Sequence, residues 1–256
     1  MVKYKEQIMK VVFFIAALVS IAAVALICIF LFANGVPAMA KIGIFNFIGG
    51  STWTPSNEPA EYGIFPMILG SIYVTAGALV VGVPIGLLTA VYLAKFCPKH
   101  IYKVLKPAVE LLAGIPSVVY GLLGILIINP QMYKLEKLLY HTSHSHQFTG
   151  GANLIAAIIV LVIMILPTLI NVSETALETV PNHLRLSSYA LGATKIQTIF
   201  KVVIPAAKNG IMSAIVLGVG RAIGEAMAIL LVAGNAVNLP APFNSVRFLT
   251  TAIVSE

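Results

Sequence analysis

Apolar positions along this chain come in long runs, separated by shorter polar stretches rich in Gly, Pro and Lys. A helix needs about 20 mostly apolar residues to cross a bilayer. Five runs come up to that length: 11–33, 64–93, 109–128, 154–170 and 211–233. Each predicts a transmembrane helix, because within lipid a helix satisfies its backbone N–H and C=O groups internally. The second run holds Gly70, Gly77, Gly82, Pro84 and Gly86. It reads either as one tilted helix or as a surface helix followed by a span. The third is interrupted by Gly114-Ile115-Pro116-Ser117, and the fourth carries Pro167 near its end. Between them, 129–151 reads as a solvated loop with an amphipathic stretch at 133–140. The tail from Gly234 ends in 245–256, too short and too polar for a further span. The expected fold is a polytopic all-α transmembrane bundle, one domain over 1–256.

Composition supports lipid as the solvent. The chain is 59% hydrophobic and 10% charged, against about 25% charged in soluble domains. A net charge of +7 would suit a nucleic-acid binder, but the basic residues sort between alternate loops rather than forming one patch. Eleven of the sixteen fall in the N-terminus, the loop with Lys95, Lys99, Lys103 and Lys106, and the segment with Arg185, Lys195, Lys201 and Lys208. Four fall on the opposite side, so the N-terminus is expected in the cytoplasm. Ala38-Met39-Ala40 imitates a cleavage site, yet the run before it exceeds the roughly 7–15 residues of a signal core. It reads as an uncleaved span. Cys28 and Cys97 lie in different contexts, and no disulfide is expected.

Arg221 and Glu225 stand out within the fifth run, in Gly220-Arg221-Ala222-Ile223-Gly224-Glu225. Four residues apart, they share a face if the helix is continuous. An arginine at the bilayer centre costs about 2.5–3.5 kcal/mol on insertion scales, so it must pair or face a protein-lined cavity. Glu225 is the expected partner, and Gly218, Gly220 and Gly224 leave room for a neighbouring backbone. Two readings stay open: a charge pair on a transport pathway, or a salt bridge that fixes packing. The Gly114–Gly121 stretch reads either as a broken helix lining a substrate site, with Ser117 and Tyr120 on it, or as a proline kink.

The polar segment 174–209 predicts a helix over 183–191 capped by Asn182, a turn at Gly192, and a second helix over 195–203 capped by Thr194. Leu184, Leu186, Tyr189 and Leu191 give it an apolar surface. That surface docks another protein or lies on lipid.

Several classes are excluded. The chain has no Gly-Lys dipeptide and hence no P-loop, no H-E-x-x-H, and no aspartate for an intramembrane aspartyl protease. An enzyme reading is poor. His141, His144 and His146 have no carboxylate adjoining them, and no metal site is expected. Asn171-Val172-Ser173 matches a sequon but falls on the cytoplasmic side.

Ser187-Ser188-Tyr189-Ala190-Leu191-Gly192, nine residues, then Val202-Val203-Ile204-Pro205 resembles the E-A-A loop of ABC importer permeases. The Gly and Pro spacing matches, while Leu186 stands where the leading glutamate belongs. Phe47 to Pro55, Gly63 to Pro66, Gly114 to Gly121, Gly220 to Glu225, Val232 to Asn235 and Val246 to Thr250 are similar to the phosphate branch, its PstC-type subunit in particular. The resemblance implies a type I permease fold in the inner membrane of a prokaryote, in which 174–209 is the coupling loop. Ser187, Ser188, Tyr189, Ala190, Gly192 and Pro205 would meet the ATPase, and Arg221 and Glu225 would serve phosphate passage with Ser117 and Tyr120. It implies a second permease subunit, two ATP-binding subunits that hold ATP and Mg, and an extracytoplasmic phosphate-binding protein. This chain would bind no cofactor itself. The family has six spans with both ends cytoplasmic; five are visible here. Either the sequence stops before the sixth, or that helix is absent. Two other functions are weighed: an ion-coupled secondary anion transporter or channel using Arg221 and Glu225, and a membrane scaffold without transport.

Overall fold

A computed structural model describes residues 2–141 and 147–255. His144 and His146 lie outside them. The chain packs as two compact units, 1–65 and 66–256.

In the first unit, α1 (Val2–Ile42) is a single long helix. It therefore runs on past residue 33, where the first apolar run ends, to Ile42. Asn34 Nδ2 donates to the Phe30 carbonyl at 2.8 Å, so its side chain is satisfied within the helix. A short helix, α2 (Ile44–Gly49), leads into a small antiparallel hairpin of β1 (Trp53–Thr54) and β2 (Glu61–Tyr62). Trp53 meets Tyr62 edge-on at 5.8 Å, and Thr52 hydrogen-bonds Glu61 across the turn.

The second unit is built around α7 (Leu154–Glu178). Before it come α3 (Phe65–Val91) with a π-turn at Tyr92–Phe96, α4 (Lys99–Gly114), α5 (Ser117–Leu123), a π-turn at Gly124–Ile128 and α6 (Asn129–Leu139). After it come α8 (Asn182–Ala190), α9 (Lys195–Thr198), a π-turn at Ile199–Val203, α10 (Ile204–Ala206), α11 (Lys208–Gly224), α12 (Met227–Val232) and α13 (Leu249–Ser255). Among the described residues four helical stretches are long and apolar enough to cross a membrane: Glu6–Ile42, Phe65–Phe96, Ser117–Leu139 and Leu154–Glu178. A fifth arises if Lys195–Ala206 and Lys208–Gly224, bent by 68°, count as one.

One open alternative is resolved and two expectations are corrected. The second apolar run is one helix carried on by its π-turn, the first of the two readings it allowed. The third span does not bracket the Gly114–Ser117 interruption but starts after it, and the stretch expected as an amphipathic loop helix becomes its far end. Pro116 lacks an N–H and holds an extended backbone, so α4 stops and α5 restarts. The fifth helix is not continuous over 211–233 but ends at Gly224 and resumes at Met227.

Burial follows from helix spacing. Leu154, Ala157, Leu161, Ile165 and Leu169 of α7 join Val74 and Ala78 of α3, Ala214 and Ala222 of α11, Ile229 and Phe248 in the main cluster. Glycines let α3 approach: a Cβ on Gly77, Gly82 or Gly86 would come within 2.6 to 2.9 Å of Ile158, Ile165 or Leu169. Small residues do this work in membrane proteins because close packing replaces the hydrophobic drive between helices. A second cluster joins Ala90 and Val91 to Leu177, Ile199, Val203 and Ile211. A third joins Tyr120 to Val160, Met164, Ala228 and Val232.

Candidate transport pathway and coupling surface

Two interrupted helices meet in the second unit. The first break, Ile115-Pro116, separates α4 from α5. The buried Tyr120 hydroxyl reaches back across it and donates at 2.7 Å to the Leu112 carbonyl, which also accepts the Ile115 N–H at the end of α4. Ser117 opens α5 and is half-buried. The second break separates α11 from α12, and the two meet where Gly121 lies against Ala228 and Leu231.

The second break undoes the expected Arg221–Glu225 pair. Glycines at 218, 220 and 224 weaken the end of α11, and Glu225 takes an extended backbone. Its carboxylate accepts the Ala228 N–H at 3.0 Å, in the first turn of α12, and its carbonyl accepts from the Thr250 hydroxyl at 2.8 Å. Both placements satisfy helix ends: a carboxylate at the positive N-terminus of α12, and Arg221 in the last turn of α11 near its negative C-terminus. Arg221 is half-buried and donates to Thr168 Oγ1 on α7 at 3.2 Å. Among the described residues no carboxylate forms a salt bridge with it.

Residues to which the sequence reading gave no role complete the neighbourhood. Ser71, Thr75 and Thr250 line a narrow crevice with Glu225, Ala222 and Phe248. Ser71 Oγ accepts the Leu249 N–H at 3.1 Å, which ties α13 to α3. The signal for Ser71 and Thr75 is their four-residue spacing within an apolar run; nothing local marks Thr250.

The second constellation is the α8–α10 segment. Asn182 is the first helical residue of α8 rather than its cap; Pro181 takes the cap position. Gly192 adopts φ +82°, where a side chain is strained, and this turns the chain from α8 to α9. Thr194 and Gln197 form a reciprocal capping box on α9. Ser188 and Thr198 hydroxyls lie 2.9 Å apart and hold α8 against the end of α9. With its frame fixed, the segment still exposes apolar side chains: Leu186 at 65%, Leu191 at 90%, Ile196 at 61% and Phe200 at 50%. Tyr189, Ala190, Ser187 and Pro205 are exposed with them.

A third feature was not read from the sequence. Lys106 of α4 forms an ion pair with Glu174 of α7 at 2.7 Å, and also bonds Asn171. Tyr102, one turn before Lys106, faces the same carboxylate. Its phenol is pushed up to about 12, first by hydrogen bonding to Glu174 and then by desolvation and charge.

Comparison with known proteins gives the same picture. Residues 82–249, about two thirds of the chain, match the family described as binding-protein-dependent transport system inner membrane component. A probable ABC transporter permease protein, YqgH of Bacillus subtilis, is 41% identical over 240 residues, covering 93% of this chain and 74% of that protein. The phosphate transport system permease protein PstC of Mesorhizobium japonicum is 34% identical over 230 residues, covering 86% and 69%. PstC of Pasteurella multocida is 35% identical over 222 residues, covering 83% and 69%. A solved structure of the MetNI methionine ABC transporter, in inward-facing conformations, is similar with a TM-score of 0.43 and 23% identity, covering 63% of this chain and 68% of that one. Membrane-spanning helices, an interrupted helix at a half-buried cation and a family match over most of the chain converge: this is an ABC importer permease subunit, a member of the binding-protein-dependent transport system inner membrane component family.

Proposed function

We propose that this subunit passes inorganic phosphate across the cytoplasmic membrane of a prokaryote, with its N-terminus in the cytoplasm. The observation that carries the reading is Arg221: a cation one turn before the α11–α12 break, held by a hydroxyl and, among the described residues, without a carboxylate partner. An intramembrane charge of this kind needs a counter-ion or a hydrated cavity, and a passing oxyanion supplies the first. Ser117, Tyr120 and the Glu225 break frame its surroundings. Relatives that bear the name phosphate transport system permease support phosphate among oxyanions.

Importer permeases work with an ATPase and a substrate-binding protein. Here the exposed apolar surface of α8 to α10 docks the ATPase, through Ser187, Ser188, Tyr189, Ala190, Gly192 and Pro205. Two ATP-binding subunits, holding ATP and Mg, would serve this chain and a second, homologous permease subunit. An extracytoplasmic phosphate-binding protein delivers the anion. Closure of the ATPase pair favours one orientation of the permease, a population shift driven by differential binding. An ion-coupled carrier would need no such surface.

The test is uptake by proteoliposomes holding the complete importer and its binding protein. Labelled phosphate should accumulate only with internal ATP, and excess sulfate or molybdate should not compete. Uptake driven by an ion gradient without ATP, or equal competition by sulfate, would overturn the reading.

A further inference from the structure

Helix α4 rests on the bundle along one stripe. Tyr102, Lys106, Val109 and Ala113 are half-buried, and every other residue of the helix is exposed. With so thin an apolar seam, the polar contact at Lys106 governs where α4 sits. Lys106 Nζ lies 2.7 Å from Glu174 Oε2, 3.1 Å from Asn171 Oδ1 and 3.6 Å from Glu110 Oε1. Glu174 is 1% exposed. A carboxylate so buried depends on its counter-charge, so separating α4 from α7 is strongly opposed.

The ends of these helices give the contact its meaning. Glu174 lies one turn before α7 ends at Glu178, and Thr179-Val180-Pro181 then lead straight into α8. At the far end of α4, the Leu112 carbonyl is held by Tyr120 of α5, across the break before Ser117. We propose that the Lys106–Glu174 pair ties α4 to α7, so that a displacement of α8 by the ATPase is handed through α4 to the break at Ser117 and Tyr120. Lys106 is a positioning residue: it touches no substrate and acts through α4. The inference rests on the reading of α8 as the docking surface.

The test uses spin labels on the importer assembled with its ATPase in nanodiscs, comparing nucleotide-free and ATP-trapped states. Val104 of α4, 70% exposed, is paired once with exposed Glu178 of α7 and once with Leu88 of α3, 59% exposed. In the parent, ATP should leave the 104–178 distance unchanged and alter 104–88 by about 3 Å or more. In Lys106→Met the pattern should reverse, and substrate moved per ATP should fall about tenfold. Lys106→Arg should keep the parent pattern, and the exchange Lys106→Glu with Glu174→Lys should restore it. Should Lys106→Met fail to assemble, Glu174→Gln, which keeps the side-chain shape, is read in its place. Parent-like distances in Lys106→Met would overturn the tie alone. No change of either distance in the parent would overturn it together with the docking reading.

Discussion

Leu191 offers a sharp test of the docking surface, because it contributes nothing to the fold of its own chain. It follows α8 at the turn and is 90% exposed. Truncation to alanine should leave the isolated subunit as stable as before, since exposed sites away from caps and cores change stability little. In the complex the same side chain would be buried in the ATPase. Full burial of a leucine is worth about 1.5–3 kcal/mol. Leu191→Ala should then forfeit about 2 kcal/mol, or about thirtyfold in Kd. Leu191→Glu should do worse, because it places an unpaired carboxylate in an apolar seat. Binding of the purified ATPase to the solubilised permease, immobilised for interferometry, reads the effect directly. Leu138→Ala, at a position 77% exposed on α6, serves as the control and should bind as the parent does. Affinity within about twofold of the parent for both Leu191 variants would refute the reasoning, whatever the transport activity.

Other outcomes follow from single contacts. Gly192→Val forces a branched side chain into φ +82°, at a cost of about 1–2 kcal/mol, and hydrogen exchange across 182–198 should speed up while α7 stays protected. Glu225→Ala removes the acceptor for the Ala228 N–H and should cost about 1 kcal/mol, seen as a lower Tm in detergent. Tyr102 should stay protonated well past the ordinary tyrosine value of about 10, because the Glu174 carboxylate accepts from the neutral phenol. Its contribution to stability is full below that value and is lost as pH rises through about 12. The phenolate absorbance difference between the parent and Tyr102→Phe should appear near that upper value rather than near 10.

Much of this architecture is written in the sequence, and the omissions have physical reasons. Long apolar runs mark spans because lipid leaves the backbone no other solution. Gly192 and Thr194 announced the turn and the second helix through local chemistry alone. The Arg221–Glu225 spacing misled because it assumed a continuous helix. Whether Gly224 ends a helix depends on what captures the freed groups: here the Thr250 hydroxyl donates to the Glu225 carbonyl, and the Glu225 carboxylate accepts the Ala228 N–H. Equally, Ile115-Pro116 declared an interruption, yet which side of it spans the membrane was decided by α4, whose exposed lysines place it outside the apolar layer. Lys106 and Glu174 lie far apart in sequence, in a basic loop and at the end of an apolar run, so nothing local joins them. The α1 helix outran its predicted end because Asn34 could bond within the helix instead of breaking it.

The central claim is that Arg221, which no carboxylate among the described residues pairs, carries the anion past the helix break. Labelled phosphate uptake by the reconstituted importer, with Arg221→Gln set beside the parent, tests it most directly. A charge-assisted hydrogen bond to phosphate is worth about 1.5–3 kcal/mol, so uptake should fall by about 10- to 100-fold while basal ATP hydrolysis persists. Undiminished phosphate uptake in Arg221→Gln would contradict the account.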